Sequence, residues 1–307
     1  MIAFRTGYFV ILAALLLAVA SSPSRATVFI SATDLHGMMA RQEIYLLHVV
    51  RDTDHYSSGH IPGARLVRWS DVNVTRDGLP GRLPPAETLT ETFRNAGVGQ
   101  DGLIVLYGDI DGLAASWTYF ALDYLGHGSR TRILDGGKEA WVAAGFELTD
   151  DALPADPSTF TPIVSPEKVA EIGVVRDVSW VISELGSGGT ALVDARPASQ
   201  FTGVEAGEAV PRPGHIPGAV NLFWMDNIVS KDNPVLKPEG ELIQRLYGAG
   251  IMPRDLVITY CRTGGQASQM YAVLKHLGFT VRMYEGSYVE WSNRKDTPVE
   301  RVPRVVN

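Results

Sequence analysis

The six-residue stretch Gly59-His60-Ile61-Pro62-Gly63-Ala64 returns letter for letter as Gly214-His215-Ile216-Pro217-Gly218-Ala219. Each copy runs on to a tryptophan and an aspartate, Trp69 and Asp71 in the first, Trp224 and Asp226 in the second. Further along, Ile104-Val105-Leu106-Tyr107 is answered by Val257-Ile258-Thr259-Tyr260. Asp135-Gly136 with Trp141 is answered by Glu285-Gly286 with Trp291 at the same internal spacing. Ordered echoes at a period of about 150 residues describe one duplicated domain rather than a solenoid of short units. Whatever this chain folds into, it does so twice.

The joint between the copies falls where Pro154, Pro157, Pro162 and Pro166 sit among small polar residues, a composition that favours an extended connector. The first domain is therefore expected over 27–150, a linker over 151–162 and the second domain over 163–307. In each half, short apolar runs rich in β-branched residues alternate with stretches of helical spacing. Strands are expected at 45–50, 103–107, 191–195 and 256–260, with helices at 114–125, 240–249 and 267–277. That alternation predicts an α/β fold with a mainly parallel sheet flanked by helices in each half.

Cys261 is the only cysteine in the 307 residues. It follows the strand-like run Leu256-Val257-Ile258-Thr259-Tyr260 and precedes Arg262-Thr263-Gly264-Gly265-Gln266-Ala267-Ser268. Paired glycines permit a tight loop with inward-turned amides, and the helix that follows brings its N-terminus to the same place. A thiolate facing such N–H groups is stabilised relative to the thiol, and an anionic substrate can share the same cradle. The plainer reading is a buried structural cysteine. The strand before it and the glycines behind it favour the nucleophile, because reactive loops of parallel sheets lie beyond the carboxyl ends of strands.

The repeat also separates an active half from a silent one. Aligning Tyr107 with Tyr260 puts Gly108 opposite Cys261, and the following loop carries Asp109 and Asp111 where the second half has Arg262 and glycines. The first domain is thus expected to be catalytically silent and to help form a cleft. Residues 1–26 read as a secretory signal peptide: Arg5, then an apolar run, then Ser24 and Ala26 placed for cleavage, with Ala20 as the alternative site. The run is too short for a spanning helix, so a periplasmic or secreted protein without a stable membrane anchor is expected. A lone thiol in an oxidising compartment forms no internal disulfide and calls for a use. The net charge of −7 leaves no basic footprint for nucleic acid, and nothing in the sequence demands more than a monomer.

Both Gly-His-Ile-Pro-Gly-Ala turns, Val193-Asp194-Ala195-Arg196, the Cys261–Ser268 loop and Tyr284-Glu285-Gly286-Ser287 with Trp291 together resemble the tandem-domain rhodaneses. The resemblance spans nearly all of the sequence after residue 26. It implies two tandem rhodanese-like domains and a ping-pong sulfur transfer from a small anionic donor, thiosulfate, to a thiophilic acceptor such as cyanide or a thiol. Cys261 would carry the sulfur as a persulfide, with no metal and no organic cofactor. Thr263, Gly264, Gly265 and Gln266 would line the substrate loop. Arg196 would help hold the anion, the alternative being a salt bridge with Asp194, itself expected to orient the loop or Arg196. Arg262 either steers anions from the loop edge or is simply solvated. Ser268 either starts the helix or places its hydroxyl near the sulfur. Trp224 either lines the cleft or packs in the core. His60 and His215 are expected to hold their turns by hydrogen bonds.

Gln200 stands near where mercaptopyruvate-using relatives carry a second arginine, and the loop is not of their Cys-Gly-Ser-Gly kind. Thiosulfate is therefore the expected donor, with 3-mercaptopyruvate as an alternative. A persulfide carrier serving a dedicated partner is a third reading of the same loop. A phosphatase would need Cys-x5-Arg to clamp phosphate bidentately, and the sixth position after Cys261 is Ala267.

Overall fold

The computed structural model describes residues 27–109, 112–154, 156–165, 168 and 175–302; the expected signal peptide lies outside the described residues. Each half is built on a five-stranded sheet. In the first the strands are β1 (Phe29–Ile30), β2 (Ile44–Val50), β3 (Arg65–Arg68), β6 (Leu103–Gly108) and β7 (Thr131–Leu134), and a hairpin of β4 (Val74–Arg76) and β5 (Leu79–Arg82) stands apart. In the second they are β8 (Val175–Arg176), β9 (Thr190–Asp194), β10 (Val220–Asn221), β11 (Leu256–Tyr260) and β12 (Thr280–Tyr284). Their orders, β1-β7-β6-β2-β3 and β8-β12-β11-β9-β10, are the same path traced twice. All pairings within the two sheets are parallel.

The apolar runs become central strands because helices cover both faces of each sheet. Alternate residues of β6 divide accordingly. Ile104 and Leu106 enter the large core on one face, Val105 and Tyr107 the smaller core on the other. In β11, Val257 faces the large core, as does Cys261 just beyond the strand, while Ile258 and Tyr260 face away from it. That large core is continuous across both domains, since it also holds Trp117 and Phe120 of the first. The period of two thus turns Cys261 towards the partner domain.

The domains meet helix to helix. Helix Leu113–Tyr124 packs on its structural counterpart, helix Gly265–His276. The Phe120 and Tyr271 ring centroids lie 5.3 Å apart, edge-on. Tyr271 donates its hydroxyl proton to Asp123, which also pairs with Lys275 at 3.0 Å. The proline-containing connector is without helix or strand over 156–165 and is laid down on the first domain. Phe160 is fully buried against Phe93 and His127, and Arg94 Nε donates to its carbonyl at 2.6 Å. Among the described residues no helix is long and apolar enough to cross a membrane.

Two buried histidines give the first domain a pH dependence. His127 Nε2 donates to the Thr161 carbonyl at 2.8 Å while Nδ1 accepts from Arg130 Nε at 2.9 Å, a pattern that needs the neutral ring. Burial, opposed by the Thr161 hydrogen bond, lowers its pKa to about 4. Burial, helped by Lys138, His60 and His55, lowers that of His48 to about 3. The unfolded chain takes up these protons below a pH of about 6.5, whereas the folded chain does not. Their contribution to stability is complete above that pH and is lost as pH falls towards 4 and then 3. Thermal unfolding followed from pH 7 downward is expected to show the melting temperature falling through this window. His127→Gln should flatten its upper part by on the order of 1–3 kcal/mol.

Candidate active site

Cys261 stands one residue beyond the end of β11 and is 2% exposed. Gly264, at φ +98° in the left-handed region that glycine enters without a Cβ penalty, turns the chain back over the sulfur. Its N–H then points at Cys261 Sγ, at 3.0 Å. Helix Gly265–His276 starts at the next residue, so its unpaired first amides gather at the same loop. A sulfur that accepts a backbone N–H at the head of a twelve-residue helix sits where negative charge is favoured.

A second segment braces the loop from behind. Ser287 Oγ accepts from the Cys261 N–H at 3.3 Å and donates to the Tyr284 carbonyl at 3.1 Å. Tyr288 and Val289 donate their N–H groups to the carbonyls of Cys261 and Arg262 at 2.9 and 3.0 Å. Ser287 is fully buried and holds φ +51°, a conformation costing a non-glycine residue roughly 1 kcal/mol. Sequence reading assigned Ser287 no role. Its signal lies in the repeat, since the tryptophan echo aligns Ser287 with Gly137, a glycine at φ +59°. Serine standing where the first copy has glycine supplies a hydroxyl that the first copy lacks at this position.

The remaining expected site residues divide. Thr263, Gly265 and Gln266 are partly buried in the loop and first helical turn. Arg262 is about one-third exposed at its side chain, with Nη1 3.5 Å from Glu208. Ser268 turns its hydroxyl to the Gly265 carbonyl at 2.7 Å, the helix-start alternative. Trp224 is 4% exposed within the large core, the packing alternative. Arg196 is 0% exposed. Its Nε and Nη2 donate to both oxygens of Asp194, Nη2 also to the Gly214 carbonyl at 2.8 Å, and the guanidinium lies 4.0 Å over the Tyr288 ring. These contacts favour the salt-bridge alternative over a hold on the donor. The carboxylate neutralises the buried cation, while Nη1 is buried without a hydrogen-bond partner, and Arg196 ties the end of β9 to the second Gly-His-Ile-Pro-Gly-Ala turn through the Gly214 carbonyl.

The histidines hold their turns as expected. His60 Nδ1 meets the Tyr56 carbonyl and His215 Nδ1 the Phe201 carbonyl, at 3.0 and 2.8 Å, each ring stacked on that aromatic residue. Tyr107 and Tyr260 likewise accept from the N–H groups of Ile61 and Ile216. The equivalence that sets Gly108 opposite Cys261 is therefore structural. It also sets His48, which pairs with Tyr107, opposite Asp194, which pairs with Tyr260. A Cβ built on Gly108 would lie 2.2 Å from the Val49 carbonyl oxygen. A cavity of about 530 Å³ opens at this edge, lined by His48, Gly108, Asp135, Lys138 and, from the second domain, Ile228 and Leu236, but not by Cys261. This void and the nucleophile lie apart. Group transfer needs an atom that can bond, so the candidate site is the Cys261 loop.

The rhodanese-like domain model matches residues 31–144 and again 177–294. A thiosulfate sulfurtransferase of Corynebacterium glutamicum is 33% identical over 282 residues, covering 88% of this chain and 89% of its own. A probable 3-mercaptopyruvate sulfurtransferase of Pseudomonas aeruginosa is 35% identical over 252 residues, covering 80% and 85%. Among solved structures, wild-type EanB superposes with a TM-score of 0.79 at 24% identity over 90% of this chain and 70% of that one, a likeness of fold. With both halves matched and a relative one-third identical along most of its length, the chain belongs to the rhodanese family of sulfurtransferases.

Proposed function

We propose that the protein moves the outer sulfur of thiosulfate to a thiophilic acceptor, cyanide or a thiol, through a persulfide on Cys261. The Cys261 thiolate attacks the outer sulfur, the S–S bond of thiosulfate breaks, and sulfite leaves with the electron pair. The terminal sulfur of the persulfide then bonds to the acceptor, and the Cys261 thiolate is released. With cyanide the product is thiocyanate, and no proton or electron is left over. The observation that carries this reading is the Gly264 N–H aimed at Sγ at 3.0 Å. A donor held there stabilises the thiolate before attack and the persulfide anion after it. Gly264, Gly265 and Gln266, with Thr263, form the cradle around the incoming anion, and Arg262 at the rim draws it in.

Thiosulfate is favoured as donor by Gln200 in place of a second arginine and by relatives named thiosulfate sulfurtransferase. Mercaptopyruvate is the second reading, favoured by the Pseudomonas relative. The test is thiocyanate formation from cyanide with each donor in turn, alongside intact-protein mass after donor alone. Sustained turnover with thiosulfate and one added sulfur on the protein are expected. Turnover with mercaptopyruvate alone would replace the donor. One added sulfur without sustained turnover would make the protein a carrier.

A further inference from the structure

The first domain has no nucleophile, yet it touches the peptide that serves the one in the second. Gly81, in β5 of the hairpin, holds φ +75°, and a Cβ built on it would lie 1.8 Å from the Thr263 carbonyl oxygen and 3.1 Å from Thr263 Cβ. At the other end of the same peptide, a Cβ built on Gly264 would lie 2.5 Å from Cζ3 of Trp117 and 3.6 Å from the Gly81 carbonyl oxygen. Trp117 is fully buried, and its Nε1 donates to the Val72 carbonyl at 2.6 Å. The indole therefore does not yield. The hairpin is fastened as well. Leu83 N–H and the guanidinium groups of Arg76 and Arg82 converge on Glu285, and Arg82 Nη2 lies 3.3 Å from Glu290. Glu285 is 5% exposed and opens the Ser287–Val289 segment that braces the loop.

A peptide unit is planar, with its C=O and N–H opposed. Whatever fixes the Thr263 carbonyl end therefore fixes the direction of the Gly264 N–H, the donor to Cys261 Sγ. We propose that Gly81 and Trp117 of the first domain are positioning residues for the reaction at Cys261, holding the Thr263–Gly264 peptide with its N–H aimed at the sulfur. This rests on the reading of Cys261 as the sulfur-carrying nucleophile. It gives the silent domain a part in the chemistry that the sequence did not assign.

The hairpin supplies its own control. Gly78 also holds φ +75°, but a Cβ there meets nothing within 4 Å. Gly78→Ala thus imposes a similar backbone penalty without pressing on Thr263. Two quantities are measured in Gly81→Ala and Gly78→Ala. One is the thiolate-to-thiol ratio of Cys261 at a fixed pH, read by ultraviolet absorbance against Cys261→Ser. The other is kcat and KM for thiosulfate. Gly81→Ala is expected to lower the thiolate ratio about tenfold, the worth of a hydrogen bond to a charged group, and to lower kcat more than KM changes. Gly78→Ala should match wild type in both.

Should Gly81→Ala not fold, Trp117→Phe decides. It removes the ring edge at Gly264, keeps the aromatic filling and is expected to shift both quantities in the same direction. Equal thiolate ratios and kcat values in Gly81→Ala and Gly78→Ala, or in Trp117→Phe and wild type where that variant decides, would overturn the proposal. The thiolate measurement uses no donor, so it stands even if wild type makes no thiocyanate. That result would remove the thiosulfate reading and leave the positioning question answered separately.

Discussion

Cys261→Ser is expected to reduce sulfur transfer by at least about a thousandfold, the order of loss when a covalent nucleophile is removed, while leaving the melting temperature within a few degrees. A serine hydroxyl keeps the volume and can accept the Gly264 N–H, but it does not ionise near neutral pH and forms no persulfide. Because the chain has a single cysteine, no second thiol can take over. The variant should fail equally with thiosulfate and mercaptopyruvate, since both donors must pass sulfur to the same atom. Thiocyanate formation and intact mass after donor treatment provide the check. Residual turnover above about one part in a hundred would remove Cys261 from the reaction.

The largest effect on stability is expected at Asp194. Asp194→Ala leaves the Arg196 guanidinium at 0% exposure without its carboxylate, and breaking a buried pair in this way costs about 3–5 kcal/mol. Urea unfolding should show the loss as a lower midpoint, and the double variant Asp194→Leu, Arg196→Met should recover most of it. Arg196→Lys separates the two roles offered for the arginine. A lysine cannot reproduce the fork on Asp194 and the stack on Tyr288, so a structural role predicts lost stability with little change in KM for thiosulfate. A raised KM with unchanged stability would return Arg196 to the donor.

These two residues also mark how far the sequence could be read. The central strands were legible because a parallel strand buried on both faces must be apolar along its length; 256–260 was expected and Leu256–Tyr260 observed. The nucleophile was legible because strand, cysteine and paired glycines lie together in sequence. Helix 267–277 was expected from its apolar spacing, and the observed start at Gly265 is earlier because Gly265 and Gln266 are already helical. Asp194-Ala195-Arg196 was not decidable. The spacing places both side chains at a strand end, but whether the guanidinium turns outward or onto Asp194 depends on Gly214 and Tyr288, which sequence separation hides. Trp117 and Gly81 were out of reach for the same reason, as nothing local says that a helix-centre tryptophan and a hairpin glycine meet a loop more than a hundred residues on.

Gly108 has a consequence for how such a chain can change. The position opposite Cys261 is not merely empty of a thiol; its strand has closed on Val49 until a side chain no longer fits. Placing a cysteine there would push β2 and β6 apart before it offered any reactivity. The duplication therefore behaves as a ratchet. While that packing holds, substitutions can refine the first copy as a buttress but cannot readily give it a nucleophile at this position.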